Sequence, residues 1–432
     1  MWGYLTHVKA HLRTLILLFS ANSISGFAQG ITMLAIPWYV IQSPGGKFQN
    51  AVLVASVTFV SLFWSLYAGT LVDKYNRKHI FLTLTGVDAC ILLSIASLGF
   101  WLGVMPFWCS ALIFTITIFT YNVHYPNLYA FVQELFEPQL YGKVNSAIEI
   151  QGQTTNFLGM MTGALLLDGT MDLSWWPEAW RFEAWSLAEI FFLDGCTYIL
   201  GFLLISQIPY RPKPRARKEQ GNAWVRLKFG FRYLWSRQEI LIFGLTSYVI
   251  FFSLLVVIQV IAPIYVKDYL QESAAILSLF KGFYAIGAIS AGLIGLSAFV
   301  RNKNLIRQVI FLLIAAGGFY LLLSLTQSIW ITLGAALALG ICNAGARILR
   351  ITYLVKLVPN EVIGRVNSIF TVANVMARVS FIGLLALPFF SADGQGDHIV
   401  YAVALLGLIM LISAVILIAN ARRMDQDITL GP

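Results

Sequence analysis

A chain of 432 residues of which 58% are hydrophobic and only 11% charged has too little polar surface to wet a globular domain, and a mean hydropathy of +0.76 agrees. These values exclude a soluble enzyme and define an all-α protein of the lipid bilayer. The net charge of +9 invites nucleic acid as a partner, but the cations gather at the ends of apolar runs, where they orient a membrane protein instead.

A run of about 20 apolar residues crosses the hydrocarbon as a helix. The sequence predicts twelve such helices, at 15–41, 51–71, 80–102, 107–132, 144–167, 187–208, 240–266, 274–300, 305–325, 329–357, 362–389 and 399–421. With the N-terminus inside, most Lys and Arg fall at inner ends: Lys9 and Arg13, then Lys74, Arg77 and Lys78, then Lys143, the central loop, Arg301 to Arg307, Lys356, Arg365, Arg422 and Arg423. Only Lys47, Arg181 and Lys267 fall in outer loops, so both termini are expected in the cytoplasm. The first apolar run is too long for a cleaved signal peptide and lacks a small-residue cleavage site. Cys90, Cys109, Cys196 and Cys342 have no metal-ligand spacing and are expected to be buried packing residues.

In chain order, helix 1 carries Asn22 and Gln29 within apolar sequence. Helix 2 ends in Gly69-Thr-Leu-Val-Asp73-Lys74-Tyr-Asn-Arg77-Lys78, which sets a Gly, one carboxylate and three cations between two apolar runs. Asn76 is expected to take a left-handed turn there, as Asn tolerates it best after Gly. Helix 3 carries Asp88, helix 4 His124, Tyr125 and an interior Pro126, and helix 5 Glu149 and the pair Gly159 and Gly163; Asp194 lies in helix 6. A small-xxx-small pair is mostly a helix-packing feature. A charge at hydrocarbon depth is costly and so a functional candidate by default, which marks Asp88, Glu149 and Asp194.

The segment 210–238 holds Arg211, Lys213, Arg215, Arg217, Lys218, Arg226, Lys228, Arg232 and Arg237 with interleaved aromatics. It divides the chain into bundles 1–209 and 239–432, and reads as an amphipathic helix resting on anionic lipid. Beyond it the intramembrane charges are basic: Lys281 in helix 8, Arg347 and Arg350 in helix 10, and Arg378 in helix 11. Asn343, Arg347 and Arg350 share one helical face, and so do Asn367, Thr371, Asn374 and Arg378. Snorkelling is the alternative for Arg347 and Arg350, and an ion pair between Arg378 and Glu149 is the alternative for Arg378. Leu135 to Ser146, LFEPQLYGKVNS, recurs as Leu357 to Ser368, LVPNEVIGRVNS, with Gly142 matching Gly364 and Asn145 matching Asn367. Two parallel six-helix repeats, pseudo-symmetric about the membrane normal, follow from that.

The stretch from Gly69 to Lys78 resembles the cytoplasmic loop signature of the major facilitator superfamily of transporters, with Asn76 in place of its second Gly. Asp88, the run Phe192 to Tyr198, and the stretch from Pro126 through Glu134, Gly142 and Asn145 resemble the drug:proton antiporter group that includes macrolide-efflux and siderophore-export proteins. The antiporter motif of helix 5 is only partly kept, since Gly159 to Ala164 lacks its Pro. The resemblance implies a secondary transporter that works by alternating access. It implies a gate in which Gly69, Asp73, Arg77, Lys78, Glu134 and Arg365 take part, with Asp73 facing the start of helix 11. It also implies a central cavity lined by helices 1, 4, 7 and 10, which makes Asn22, Gln29, His124, Tyr125, Gln259, Asn343, Arg347 and Arg350 substrate-binding candidates; Lys281 and Arg378, on helices 8 and 11 and too deep to snorkel easily, join them as cations that need a cavity or an acid of the other half.

The expectation is proton-coupled efflux of a small amphipathic organic compound across a bacterial inner membrane by a monomer in lipid. Asp88, Glu149 and Asp194 are the proton-coupling candidates. An anionic metabolite such as a carboxylate siderophore is the alternative cargo, and a receptor that has lost transport is the alternative class. No nucleotide cradle, metal cluster, catalytic triad or other cofactor motif is visible.

Overall fold

The computed structural model describes residues 2–135, 141–169, 182–210, 223–295, 305–392 and 396–430. The described residues form helices and connecting turns, with no strand. Lipid imposes this, because every backbone N–H and C=O within hydrocarbon must be satisfied inside its own segment. The helices are α1 (Trp2–Val40), α2 (Gly46–Lys74), α3 (Arg77–Leu102), α4 (Phe107–Leu135), α5 (Tyr141–Asp168), α6 (Leu187–Ser206) and α7 (Ala223–Ser236). There follow α8 (Gln238–Val256), a π turn (Val257–Ile261), α9 (Ala262–Ile264) and a second π turn (Tyr265–Tyr269), which together make one unbroken span. The chain continues with α10 (Ala274–Gly295), α11 (Leu305–Leu325), α12 (Ile329–Leu357), α13 (Asn360–Leu385), the short α14 (Pro388–Ser391) and α15 (Ile399–Leu430).

Eleven helices among the described residues are long and apolar enough to cross a membrane. The fifth predicted span forms as α5, a helix of 28 residues, but Asn145, Glu149, Gln151, Gln153, Thr154, Thr155 and Asn156 make it too polar to join that set.

The chain folds as two compact units: Met1–Ser43 with Val60–Ala216 and Ser273–Ser278, and Pro44–Phe59 with Arg217–Glu272 and Leu279–Pro432. In the first, α1 packs on α5 and α6, and α3 on α6 and α4. Glycine lets the backbones of α1 and α5 touch: a Cβ on Gly159 would stand 2.0 Å from the Phe27 carbonyl oxygen. In the second unit α11 packs on α15 and α12, and α13 on α8 and α7. There the same device joins α10 to α12, where a Cβ on Gly340 would stand 2.1 Å from the Tyr284 carbonyl oxygen. Also within the second unit, Lys47 and Asp268 form an ion pair at 2.7 Å with little exposure of either side chain.

Two sequence expectations are corrected, one for Asn76 and one for the cysteines. Asn76 is not left-handed: it has φ −61° and ψ 127° and caps α3, its side chain accepting from Lys78 N and His79 N. An N-cap therefore serves where the signature's second Gly was expected to make a turn. Gly69 lies within helix α2 without a positive φ, and among the described residues nothing approaches within 4 Å of the Cβ it lacks. Cys109 and Cys342 are buried as expected, but Cys90 and Cys196 are exposed on the outward faces of α3 and α6.

Candidate functional site

The first unit gathers four of the substrate candidates around one small cavity. Asn22 and Gln29 come from α1, and His124 and Tyr125 from α4, with Ser25 and Tyr198 completing the wall. The four fall together because α1 runs beside α4, with positions one or two turns apart on each helix facing the same gap. Asn22 donates to Gln151 Oε1 at 3.1 Å, and its Oδ1 lies within hydrogen-bond distance of His124 Nε2, at 3.2 Å. Gln151 in turn donates to the Phe19 carbonyl and to Ser23 Oγ. A continuous polar network thus ties α1, α4 and α5 together beside the cavity, with aromatic walls from Tyr121 and Tyr125. Such a surface suits a ligand with both apolar area and hydrogen-bonding groups.

Behind this cavity lie two carboxyls. Asp88 is 4% and Asp194 3% exposed. Thr120 Oγ1 donates to Asp88 Oδ1 at 3.1 Å, and Thr32 Oγ1 donates to Asp194 Oδ2. The second oxygen of each, Asp88 Oδ2 and Asp194 Oδ1, has no partner among the described residues. Neither acid is in an ion pair there. The side chains of the third acid, Glu149, and of Asp73 in the signature lie outside the described residues.

The signature end of the first unit is held by its own charges. Arg77 is buried, its Nε 3.5 Å from Glu134 Oε1, and Tyr210 donates to the other oxygen of Glu134. Asn127 Nδ2 donates to the Arg77 carbonyl at 2.9 Å. Lys78 Nζ donates to the carbonyls of Ser206 and Ile208 at 2.7 and 2.8 Å, a cation at the C-terminus of α6 where the unpaired carbonyls favour it.

In the second unit the basic residues separate. Arg350 is buried over the Tyr248 ring, 3.6 Å from its centroid, and donates to the Ser247 carbonyl at 3.3 Å. Arg347, three residues earlier on α12, is exposed. Asn343 Nδ2 donates to Tyr284 Oη at 2.8 Å, which links α12 to α10. Lys281 is buried and in no ion pair among the described residues. On α13, Asn374 Nδ2 and Arg378 Nε are buried donors without an acceptor there. Gln259 lies in the first π turn, its Oε1 likewise unpartnered and its backbone carbonyl 3.5 Å from Asn50 Nδ2. Arg365 stands at the start of α13, where Gly230 of α7 crosses so closely that a Cβ there would lie 2.8 Å from the Arg365 carbonyl oxygen. Among the described residues no three His, Cys, Asp or Glu side chains could hold a metal ion together.

Sequence reading missed Thr32, Thr120, Gln151, Tyr198, Tyr248 and Tyr284. Helical spacing held part of the signal: Tyr198 is one turn from Asp194, and Thr120 one turn from His124.

Two bundles of long apolar helices, a signature turn braced by the ion pair of Arg77 with Glu134 and a polar cavity within the membrane define a transporter. The Major Facilitator Superfamily model matches residues 18–382, and the chain belongs to that superfamily. It is a membrane transporter rather than an enzyme. Among curated relatives, the enterobactin exporters EntS of Salmonella typhi and of Escherichia coli O1:K1 are each 23% identical over 91% of this chain and 90% of their own. Among solved structures, a bacterial homologue of the iron transporter ferroportin in its inward-facing state has a TM-score of 0.68 at 15% identity, covering 95% of this chain and 99% of that one. The nucleoside transporter NupG follows with a TM-score of 0.66 at 15% identity, over 95% and 98%. These likenesses fix the fold as that of the superfamily.

Proposed function

We propose that this transporter exports a small amphipathic organic compound from a bacterial cytoplasm in exchange for protons. The observation that carries the reading is the pair of buried carboxyls, Asp88 and Asp194, beside a polar cavity and in no ion pair among the described residues. An ionised acid in a dry site is costly unless a cation or proton accompanies it, so such a site gains and loses a proton as its access alternates. Glu149 stands as the third candidate on the grounds of sequence. The relatives named as enterobactin exporters support an outward direction and an organic cargo. The inner membrane, cytoplasmic termini and a monomer in contact with lipid belong to the same reading.

Within it, an acidic or acceptor-rich cargo is favoured by the second unit. Among the described residues, its buried donors Asn374 Nδ2 and Arg378 Nε have no acceptor and Lys281 is in no ion pair. A ligand bearing carboxylate or phenolate oxygens supplies what these groups are missing. Inverted membrane vesicles with an acid lumen test the proposal against a panel of amphipathic bases, neutral compounds and acids, enterobactin included. At least one acceptor-rich compound should accumulate, and collapsing the pH gradient should abolish accumulation. Accumulation that survives collapse of the gradient argues against proton exchange, and exclusive transport of cations argues against the basic site.

A further inference from the structure

The two acids share surroundings that point beyond a list of coupling candidates. Asp88 on α3 lines a small cavity walled by Ile91, Leu92, Ile113 and Ile116 and closed by Tyr198. Tyr198 also lines the polar cavity of Asn22, Gln29 and His124, and a third cavity that holds Ser25 and Thr85. Thr120 bridges in the same way, lining the polar cavity while its hydroxyl holds Asp88. Asp194 is one helical turn from Tyr198 on α6, the helix packed along α3. Tyr198 is 5% exposed, so its hydroxyl meets protein and cavity rather than lipid.

We propose that Asp88 and Asp194 form a single proton-storage site set behind the substrate cavity, with Thr32 and Thr120 as its hydroxyl clamps and Tyr198 as the side chain through which the proton passes. The inference rests on the proton-exchange reading and deepens it by naming the site and its route. In the transfer step the O–H bond of one carboxylic acid breaks and its proton goes to the Tyr198 oxygen. The phenol gives up its own proton to a solvent water admitted to the polar cavity, which carries it away as hydronium, so Tyr198 ends as it began and one negative charge is left on the pair.

The groups around the pair favour a proton over a metal cation. From α3 and α6 come the two acids and Tyr198; from α4 come Thr117, Thr120 and, a turn further on, His124; from α1 come the uncharged Thr32 and Ser25. No Lys or Arg among the described residues pairs with either acid. No third His, Cys, Asp or Glu side chain among the described residues joins the pair to hold a metal ion with it, and isoleucines and a leucine line the cavity on the Asp88 side.

Infrared difference spectra of the full-length protein in lipid, taken between acid and alkaline buffer, test the site without any substrate. The carbonyl band of a protonated carboxylic acid should appear at acid pH and be lost or halved in Asp88→Asn and in Asp194→Asn. The band should be the same in sodium and in choline buffers. Tyr198→Phe should keep the band and slow its response to a pH jump. Should the Asn variants fail to fold, Thr32→Val and Thr120→Val keep both acids and should shift the band frequency. An unchanged band in all four carboxyl and threonine variants overturns the proposal, and a band suppressed by sodium overturns it in favour of a sodium site. If the band vanishes only in Glu149→Gln, proton exchange survives and the paired site does not. If no carboxyl band depends on pH at all, both fail.

Discussion

At the scale of single residues, the charges were legible and their partners were not. Asp88, Asp194, Lys281, Arg350 and Arg378 stand out because a charge in an apolar run is costly and so marks a functional candidate. Tyr198 reads as one more aromatic in an apolar run, and Thr32 and Thr120 do not stand out, because Ser and Thr hydroxyls within membrane helices usually bond back to their own helix. Thr85, Ser94, Ser97, Thr115 and Thr117 all do so here. Nothing in sequence separates these from the hydroxyls that reach across to an acid. Two expectations follow. Replacing Asp88 or Asp194 with Asn should abolish accumulation against a gradient while leaving exchange of labelled for unlabelled substrate, and retained accumulation in both variants would remove them from coupling. Arg350, already satisfied by Tyr248 and the Ser247 carbonyl, should act in the fold: Arg350→Ala leaves the ring uncovered and should cost about 0.5–2 kcal/mol for the lost cation–π contact. Thermal unfolding should therefore fall in Arg350→Ala and stay near the parent in Arg347→Ala. Binding of an acidic substrate should show the reverse order.

At the scale of helices, hydropathy located the apolar spans because length and polarity decide which segments cross lipid. Helix contacts were less legible, since a glycine reads the same whether a neighbour touches it or not. Gly159 meets the Phe27 carbonyl, whereas Gly69, the first residue of the signature, meets nothing among the described residues. Gly159→Leu should therefore push α1 from α5 and cut the yield of folded protein, while Gly69→Ala should fold normally. A loss of transport in Gly69→Ala with unchanged folding would assign that glycine to another state of the cycle. The segment expected to rest on lipid forms α7, which also packs on α13: Gly230 and Leu234 are buried, and Phe231, Trp235, Lys228 and Arg232 are exposed. Gly230→Val should disturb folding through the Arg365 backbone, and Lys228→Ser with Arg232→Ser should leave folding intact.

At the scale of the whole molecule, the internal repeat and the signature were enough to read the fold, because both halves must keep the same helix starts and turns. The cycle was not legible, as one sequence serves every state. The signature's Asp73 is expected to favour the state closed on the cytoplasmic side through the positive end of a helix dipole, by about 0.3–2 kcal/mol. Cysteines placed on that side should label faster in Asp73→Asn, and unchanged labelling would sink the gate assignment.

The central claim is that cargo leaves as protons enter. Its most direct measurement is lumenal pH in inverted vesicles loaded acid and then given the substrate that the panel identifies. The account expects the lumen to turn alkaline as substrate enters, and to stay acid in vesicles bearing Asp194→Asn. Substrate that accumulates in the parent protein with no change in lumenal pH would contradict it.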